Sequence, residues 1–319
     1  MSAESRYRGC LLGLAVGDAV GTTVEFKPPG SFAPVTDMVG GGPFGLPAGA
    51  WTDDTSMALC LADSLLAERG FDPVDQLQRY VAWWRNGSRS STGTCFDIGI
   101  ATRSALSRFE RTGEPYPGDA DPRAGGNGPL MKLAPLPLAY ARHPAAALER
   151  AALSARTTHG APEAADACRY FASLLIGAVA GAPREELLAA GGYERFRELH
   201  EGDLDPRVAK VAEGSFLRRD PPEIRGGGYV VHALEAALWA VHRNDDFEST
   251  ILAATNLGDD ADTTAAIAGQ LAGAIHGLDG IPAGWRDRVV AGGEIVALAD
   301  ALLTLSAEVD PDTEELQAP

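Results

Sequence analysis

Two stretches of the chain place adjacent carboxylates and threonine hydroxyls directly before an apolar helical pattern. The first, WTDDTSMALCLADSL at residues 51–65, sets Asp53 and Asp54 between Thr52 and Thr55. One aspartate at such a position is an ordinary N-cap, whose oxygen accepts from the free N–H groups of the first helical turn. The helix dipole tolerates a second negative charge. Taken alone, this stretch is explained equally well by capping and by a metal site.

A second stretch of the same kind occurs far along the chain, in NLGDDADTTAAIAGQLAGAIHG at residues 256–277. Its polar residues are three aspartates followed by two threonines: Asp259, Asp260, Asp262, Thr263 and Thr264. Either stretch could be a variant of a helix cap, but both carry more negative charge than a cap needs. Like charges held together cost free energy unless a cation is present. The two stretches together therefore favour a metal centre.

The types of ligand select the kind of cation. The aspartates and threonines of both stretches are hard oxygen donors with no cysteine or histidine beside them, which favours Mg²⁺, Mn²⁺ or Ca²⁺ over Zn²⁺. Five aspartates and several threonines exceed what one Mg²⁺ ion takes from a protein, whereas two ions bridged by a shared carboxylate would use them. The pattern therefore predicts a two-metal hydrolytic site.

A glycine-rich helix, predicted over residues 5–20, precedes the first stretch. Its glycines recur every four residues and fall in one narrow strip: Gly9, Gly13, Gly17 and Gly21. Glycine costs a helix about 1 kcal/mol per residue, so we expect the strip to be offset by the close approach of another helix. Glu25 follows in a predicted loop, and on its own it would be interpreted as a surface glutamate.

Helical periodicity dominates the rest of the chain and strand alternation is almost absent, which predicts an all-α fold. Further helices are predicted over residues 54–68, 73–85, 95–109, 129–141, 144–155, 162–180, 184–190, 229–243, 246–256, 262–276, 284–289 and 292–306. Residues 111–128 are rich in Gly, Pro and Asp and predict a long loop. Because no linker separates domains, we expect one domain over residues 1–305 and a frayed or disordered acidic tail over 306–319.

Charge and hydropathy exclude several classes of function. The 319 residues include 27 Lys and Arg against 44 Asp and Glu, a net charge of −17 that argues against broad binding to nucleic acid. No stretch approaches the roughly 18 apolar residues of a membrane span. The four cysteines form no CxxC pair, and free thiols are typical of a reducing compartment. These features favour a cytoplasmic protein, which we expect to be monomeric.

Five stretches in combination resemble the ADP-ribosylglycohydrolase family: GLAVGDAVGTTVEF, WTDDTSMAL, FDIG, GGNGPLMKLAPLPL and NLGDDADTTAAIAGQLAGAIHG. The similarity runs from about residue 6 to 305, and GYVVHALEAALWAV at 228–241 is especially similar to the branch that activates dinitrogenase reductase. The resemblance implies a compact orthogonal bundle of helices with two Mg²⁺ or Mn²⁺ ions at the bottom of a cleft. It also implies six metal ligands: Thr52, Asp53, Asp54, Asp260, Asp262 and Thr263. Asp259 lies outside the matched pattern and is expected to support a ligand or cap the helix.

The reaction that the resemblance implies is hydrolysis of the bond between ribose C1 and an ADP-ribosylated side chain, with ADP-ribose as the product. The metal ions would orient the sugar, while carboxylates would stabilise an oxocarbenium-like centre and manage the proton. Asp97, in FDIG, matches the acidic residue proposed as general acid/base in the reductase-activating branch. Glu25 matches the family's acidic residue on a mobile loop near the metals. We favour Asp97 as the acid/base for arginine-linked substrates and Glu25 as a gate linked to the metals.

The remaining candidate residues concern the nucleotide. The GGNG turn offers small residues whose backbone N–H groups could approach a pyrophosphate, although a plain turn explains the same letters. The family often has a serine after GNG and an arginine after the Met, where this chain has Pro129 and Lys132. Pro129 supplies neither an N–H nor a hydroxyl, and Lys132 supplies charge without a planar fork. The predicted substrate-binding residues are Gly126, Asn127, Gly128, His159 and Tyr229. His159 could equally be a cap partner, and Tyr229 a packing anchor.

Other functions stay open at this point. The linkage could join ADP-ribose to serine, or the substrate could be O-acetyl-ADP-ribose. The family also contains crystallin-like relatives without catalytic need, but the matched metal ligands favour an enzyme. A different two-metal hydrolase, such as a phosphoesterase, would more often include histidine ligands, and none of the six histidines of this chain lies beside the aspartates of either stretch.

Overall fold

The computed structural model describes residues 1–200 and 202–314, and over these residues the chain forms sixteen α-helices and no strand. The all-α prediction is therefore confirmed. The helices are α1 (Ala3–Gly21), α2 (Asp53–Glu68), α3 (Pro73–Asn86), α4 (Ile100–Thr112), α5 (Gly128–Met131), α6 (Pro135–Ala139), α7 (Pro144–Arg156), α8 (Pro162–Val179), α9 (Arg184–Leu188), α10 (Ala190–Leu199), α11 (Pro206–Ala212), α12 (Val230–Arg243), α13 (Phe247–Thr255), α14 (Ala261–His276), α15 (Ala283–Arg288) and α16 (Gly292–Leu305).

The centre of the fold is an antiparallel pair, α1 and α14, whose backbones touch. A methyl group built at Gly13 would lie 2.3 Å from the carbonyl oxygen of Gly269, and one at Gly17 would lie 2.2 Å from that of Ala265. The contact repeats at the other two glycines of α1, against Gly273 and Asp262. Because no side chain fits between the two backbones, the glycines allow the close helix approach that their spacing predicts.

This antiparallel contact determines where the two ends of the helices lie. Gly21, at the C-terminal end of α1, faces Asp262, in the first turn of α14. The loop that follows α1 therefore runs past the aspartate-rich start of α14. Residues far apart in sequence are brought to one end of the central helix pair by backbone packing alone.

Most predicted helices agree with the structure to within two residues, and three segments differ. The helix predicted over 95–109 begins only at Ile100, because Asp97 adopts a left-handed backbone conformation with φ of 57°. The helix predicted over 129–141 is divided into α5 and α6, with Pro135 opening the second. Beyond residue 190, α10 and α11 were not predicted.

The segment after α16 is partly anchored to the body of the protein. Glu314 accepts a hydrogen bond from the Arg150 Nε at 3.0 Å and contacts the hydroxyl of Tyr140. This anchoring differs from the fraying expected for residues 306–314, because Glu314 joins Glu149 as an acidic partner of the buried Arg150. The remainder of the predicted tail, 315–319, lies outside the described residues. Within the described helices, none combines the length and apolarity that a membrane span requires.

The helix contact generates a stability prediction with an internal control. Gly13→Ala should destabilise the protein by about 1–3 kcal/mol, because the added methyl collides with the backbone of α14. Gly293→Ala, in the first turn of α16, meets nothing within 4 Å, so the same substitution should be neutral or stabilising by about 1 kcal/mol at most. Urea unfolding of both variants measures the difference, and equal effects would contradict the tight packing.

Candidate active site

One cleft, with a volume of about 740 Å³, gathers most of the residues that the sequence singles out. Ten of the thirteen predicted site residues line it: Glu25, Asp53, Asp97, Gly126, Asn127, Gly128, His159, Asp260, Asp262 and Thr263. Thr52 and Asp54 are buried and absent from the lining. Tyr229 also lies outside the lining, and is considered below.

Asp18, a residue that the sequence reasoning missed, connects α1 to α2. One carboxylate oxygen of Asp18 accepts from the backbone N–H and hydroxyl of Thr52, both at 2.9 Å, and the other accepts from those of Thr55, at 3.0 and 2.6 Å. Asp18 therefore caps α2 from another helix, so that neither Asp53 nor Asp54 acts as the cap. An aspartate within an otherwise apolar, glycine-rich helix was the available signal.

The Thr52 hydroxyl lies among more carboxylates than its single proton can serve. Its oxygen is 2.9 Å from Asp18 Oδ1, 3.0 Å from Asp54 Oδ2 and 3.3 Å from Asp262 Oδ2. The other oxygens of Asp54 and Asp262 are buried without any hydrogen-bond partner. Buried anions without partners are costly, and a cation would satisfy these oxygens, so the donor set fits a hard divalent metal ion.

Two groups of three carboxylates are close enough to hold metal ions. In the first, oxygens of Asp18, Asp54 and Asp262 lie within 4.8 Å of one another, and in the second the same holds for Glu25, Asp97 and Asp262. Asp262 belongs to both groups. Its carboxylate is therefore common to both candidate ligand sets.

The start of α14 is likewise not capped by its own aspartate. Asp260 occupies the N-cap position without a side-chain capping bond, and its Oδ2 accepts from Asn127 Nδ2 at 2.7 Å. Asn127 thus orients a predicted metal ligand. Thr263 lies in the first turn of α14, with its hydroxyl 3.9 Å from the sulfur of Met131.

Burial and mutual repulsion raise the pKa values of the clustered carboxyls. Desolvation, followed by the charge of Asp97, raises the pKa of Glu25 to about 9. Desolvation, followed by the charges of Asp18 and Asp260, raises the pKa of Asp97 to about 7. Without a counter-charge, therefore, part of the cluster stays protonated near neutral pH. A bound cation would favour the ionised forms instead.

Three non-glycine residues in the cleft adopt left-handed backbone conformations: Phe26, Asp97 and Asp259, with φ of 61°, 57° and 53°. Such conformations cost free energy and persist only where surrounding contacts impose them. The backbone of Asp259 exchanges hydrogen bonds with the Glu25 loop, accepting from Phe26 N–H at 2.6 Å and donating to the Lys27 carbonyl at 2.8 Å. Asp259 therefore ties the Glu25 loop to the start of α14 through its main chain.

The GGNG turn lines the cleft, but two of its N–H groups are already used. The N–H of Gly126 donates to the Ala124 carbonyl, and that of Asn127 donates to the Gly228 carbonyl. The glycines instead make room for an imidazole, because a methyl group at Gly126 or Gly128 would lie 2.9 or 2.8 Å from the ring of His159. The expected cradle of backbone N–H groups is therefore wrong for Gly126 and Asn127.

Tyr229 pairs with the GGNG turn through its backbone and directs its ring elsewhere. Gly126 and Tyr229 form an isolated antiparallel bridge. The ring of Tyr229 packs edge-on against His232 at 5.1 Å and lines a separate pocket with Arg207 and Arg219. Its position is that of a packing anchor beside the cleft, the alternative that the sequence left open.

Comparison with known proteins places these features in one family. A family model described as ADP-ribosylglycohydrolase matches residues 1–312. The chain is 45% identical to the ADP-ribosylarginine hydrolase Tri1 of Pseudomonas putida over 97% of this chain and 80% of that protein. It is 34% identical to the ADP-ribosyl-[dinitrogen reductase] glycohydrolase of Rhodospirillum rubrum, covering 96% and 98% of the two chains. A solved ADP-ribosylglycohydrolase-related protein complex contains a chain with a TM-score of 0.84 and 49% identity, covering 96% and 99%.

The raised pKa values predict how the metal-free protein responds to pH. Between pH 6.5 and 8, Glu25 and part of Asp97 stay protonated when folded but ionise on unfolding. Folded protein then binds more protons than the unfolded chain, so stability should fall as pH rises, by about 1.4 kcal/mol per pH unit for each such group. The window is chosen so that other groups titrate mostly outside it. Histidine has its ordinary pKa at or below the lower limit, and the pKa of Lys132, which burial lowers to about 8, lies at the upper limit.

The measurement is the melting temperature of EDTA-treated protein across that window, with and without saturating Mn²⁺. The stabilisation by Mn²⁺ should grow with pH, because the ion favours the ionised carboxylates. A metal-free melting temperature that rises with pH would contradict the repulsion assigned to the cluster.

Replacing one clustered carboxylate with an amide should raise the stability of the metal-free protein and abolish metal binding. Asp54→Asn or Asp262→Asn should raise the melting temperature of the metal-free protein, because an amide avoids the cost of burying a carboxyl whose pKa desolvation and neighbouring carboxylates raise well above its usual value. Both should lose bound metal, measured by elemental analysis. Asp63→Asn is the matched control in the same helix as Asp54, since Asp63 pairs with Arg89 instead, and it should keep full metal content.

Proposed function

Because the chain belongs to the ADP-ribosylglycohydrolase family, we propose that it removes ADP-ribose from arginine side chains. The bond that breaks joins ribose C1 to a guanidinium nitrogen. The observation that carries the proposal is a cleft in which Asp97 and Glu25 lie within 4.8 Å of a shared carboxylate, Asp262. Arginine is favoured because a relative 45% identical to this chain is named an ADP-ribosylarginine hydrolase.

The proposed cofactor is a pair of Mg²⁺ or Mn²⁺ ions. Thr52, Asp53 and Asp54 would hold them from α2, and the ligands from α14 would be Asp260, Asp262 and Thr263. Support comes from the partnerless buried oxygens of Asp54 and Asp262 and from the hard-oxygen donor set. When bound, the ions would fix the ribose hydroxyls and a water molecule in position for the reaction.

Asp97 is the proposed acid/base. Its side chain lines the cleft, and burial with neighbouring negative charge raises its pKa to about 7, near the value that suits proton transfer at neutral pH. Water adds to ribose C1 as the C1–N bond breaks. One proton of that water passes to a carboxylate and the departing nitrogen takes up a proton, so that the products are ADP-ribose and unmodified arginine.

Glu25 is the proposed gate beside the metal ligands. The Thr22 hydroxyl donates to Glu25 Oε2 at 3.3 Å, and the loop that carries Glu25 is tied to Asp259 by main-chain hydrogen bonds. Displacement of this loop would move a carboxylate at the second group of ligands. Loops held by a rigid scaffold are the usual carriers of such motions.

The proposal also identifies the expected class of substrate. The substrates would be ADP-ribosylated proteins or small ADP-ribose conjugates. A cytoplasmic location and a monomeric state remain predictions from composition, and the net charge of −17 disfavours nucleic acid as a partner.

The test compares linkages and removes the proposed acid/base. Wild-type protein with Mg²⁺ or Mn²⁺ should release ADP-ribose faster from an ADP-ribosyl-arginine peptide than from an ADP-ribosyl-serine peptide. Asp97→Asn keeps the shape of the side chain but removes its charge and transferable proton. It should lower kcat about 100-fold or more, with bound metal retained.

Two outcomes would overturn this assignment. Release from the serine peptide but not from the arginine peptide would change the substrate. A near-normal rate for Asp97→Asn, together with a large loss for Glu25→Gln, would move the acid/base role to Glu25. The control is Asp119→Asn, on a loop outside the cleft lining, which should turn over normally.

A further inference from the structure

Lys132 is a buried cation without a carboxylate partner. Its side chain is only 1% exposed, and its Nζ donates one hydrogen bond, to Thr158 Oγ1 at 3.1 Å, while facing the ring of Tyr80 at 5.0 Å. Within the described residues it makes no salt bridge. It is also absent from the cleft lining. The direct charge that the sequence suggested it could offer to a diphosphate is therefore not available.

The hydrogen bond from Lys132 restricts what Thr158 can do. An ammonium group only donates, so the Thr158 oxygen accepts from Lys132 and keeps one O–H to donate. The other partner of that oxygen is His159 Nδ1, at 3.0 Å. Among the described residues no further acceptor lies in hydrogen-bonding distance, so an O–H turned away from Nδ1 would be buried and unsatisfied, at a cost of about 1–3 kcal/mol.

The consequence for His159 is a defined tautomer. Burial, followed by the charge of Lys132, lowers the pKa of His159 to about 3, so the imidazole is neutral. A neutral ring that accepts at Nδ1 must carry its proton on Nε2. A methyl group built at Gly126 would lie 2.9 Å from His159 Nε2. Gly126 and His159 both line the cleft. The ring therefore presents an N–H donor to the cleft wall.

We propose that Lys132 is a positioning residue, which acts through Thr158 to hold His159 as the Nε2–H tautomer, so that His159 donates a hydrogen bond to an oxygen of the bound ADP-ribosyl group. The identity of the ligand rests on the proposed function, whereas the tautomer does not. His159 is thus a donor and not a general acid or base. The relay explains why a lysine is kept buried behind the cleft wall without a carboxylate.

Histidine NMR on the full-length, metal-loaded protein tests the tautomer directly. In protein labelled with ¹⁵N-histidine, the His159 signals, assigned by their loss in His159→Gln, should show a protonated Nε2 and an unprotonated Nδ1. Lys132→Met removes the obligate donor and frees Thr158 to accept from Nδ1–H, so the Nδ1–H form should become clearly populated. A wild-type Nδ1–H tautomer, or identical tautomer populations in Lys132→Met, would overturn the proposal.

A second pair of variants guards against a failure of Lys132→Met to fold. Thr158→Val removes the hydroxyl at nearly constant volume and should change the tautomer populations in the same direction, whereas Thr158→Ser keeps the hydroxyl and should preserve the wild-type spectrum. Ser173→Ala, which removes a buried hydroxyl bonded only to the Tyr170 carbonyl, is the control for a nonspecific effect. A Thr158→Val spectrum identical to that of wild type would also overturn the relay.

Kinetics then tests the hydrogen bond to the substrate. Lys132→Met and Thr158→Val should lower kcat/KM for ADP-ribosyl-arginine about 10-fold, with metal affinity unchanged by calorimetry and with Thr158→Ser close to wild type. Altered tautomers with unaltered kcat/KM would overturn the proposed contact with the substrate. If wild-type protein failed to cleave ADP-ribosyl-arginine, the proposed function would fail, while the NMR result would still decide the relay.

Discussion

The backbone contact between α1 and α14 is the constraint on which the site depends. Glycines every four residues let the two helices approach until carbonyl oxygens fill the places of side chains. This contact fixes the relative register of the helices, because a shift along the axis would drive a Cβ into the backbone. The end of α1 then meets the start of α14, and Asp18 and Asp262 come together as a result. The position of the carboxylate cluster thus depends on close backbone contacts between the two helices.

Electrostatic repulsion opposes the clustering of carboxylates that helix packing imposes. Asp18, Asp54 and Asp262 are all nearly inaccessible to solvent, and over residues 1–200 and 202–314 no cationic side chain pairs with any of them. Asp18 differs from the other two because four donors from Thr52 and Thr55 satisfy both of its oxygens. It can remain ionised for structural reasons, whereas Asp54 and Asp262 each keep an oxygen without a partner. Asp18 therefore performs the capping that the sequence left open for Asp53 and Asp54, and Asp54 remains available as a ligand of the proposed metal ions.

The sequence predicted the parts of the site that depend on local pattern. The helices with clear periodicity and the glycine strip agree with the structure. The gathering of Glu25 and Asp97 with the two aspartate-rich stretches also agrees, but only the family resemblance implied it. Sequence reasoning failed where a residue's role depends on a distant partner. Nothing local shows that Asp18 caps another helix, that the glycines at 126 and 128 accommodate an imidazole, or that Lys132 points away from the cleft. The early start predicted for α4 is wrong because Asp97 has a left-handed backbone conformation, which is incompatible with a right-handed helix at that residue.

The candidate site is built partly from helices and partly from loops. The proposed metal ligands lie in the first turns of two buried helices, whose positions are fixed by the glycine contact and by Asp18. The two proposed catalytic carboxylates, Glu25 and Asp97, instead lie in loops, and Asp97 itself and Phe26, next to Glu25, have left-handed backbones. Positions on packed helices suit the binding of metal ions, because the distances between an ion and its ligand atoms vary little. In the proposed function, loop-borne carboxylates would approach the sugar, while main-chain hydrogen bonds through Asp259 tie the Glu25 loop to the start of α14. Helices would thus hold the proposed metal ligands, and loops would carry the groups that contact the proposed substrate.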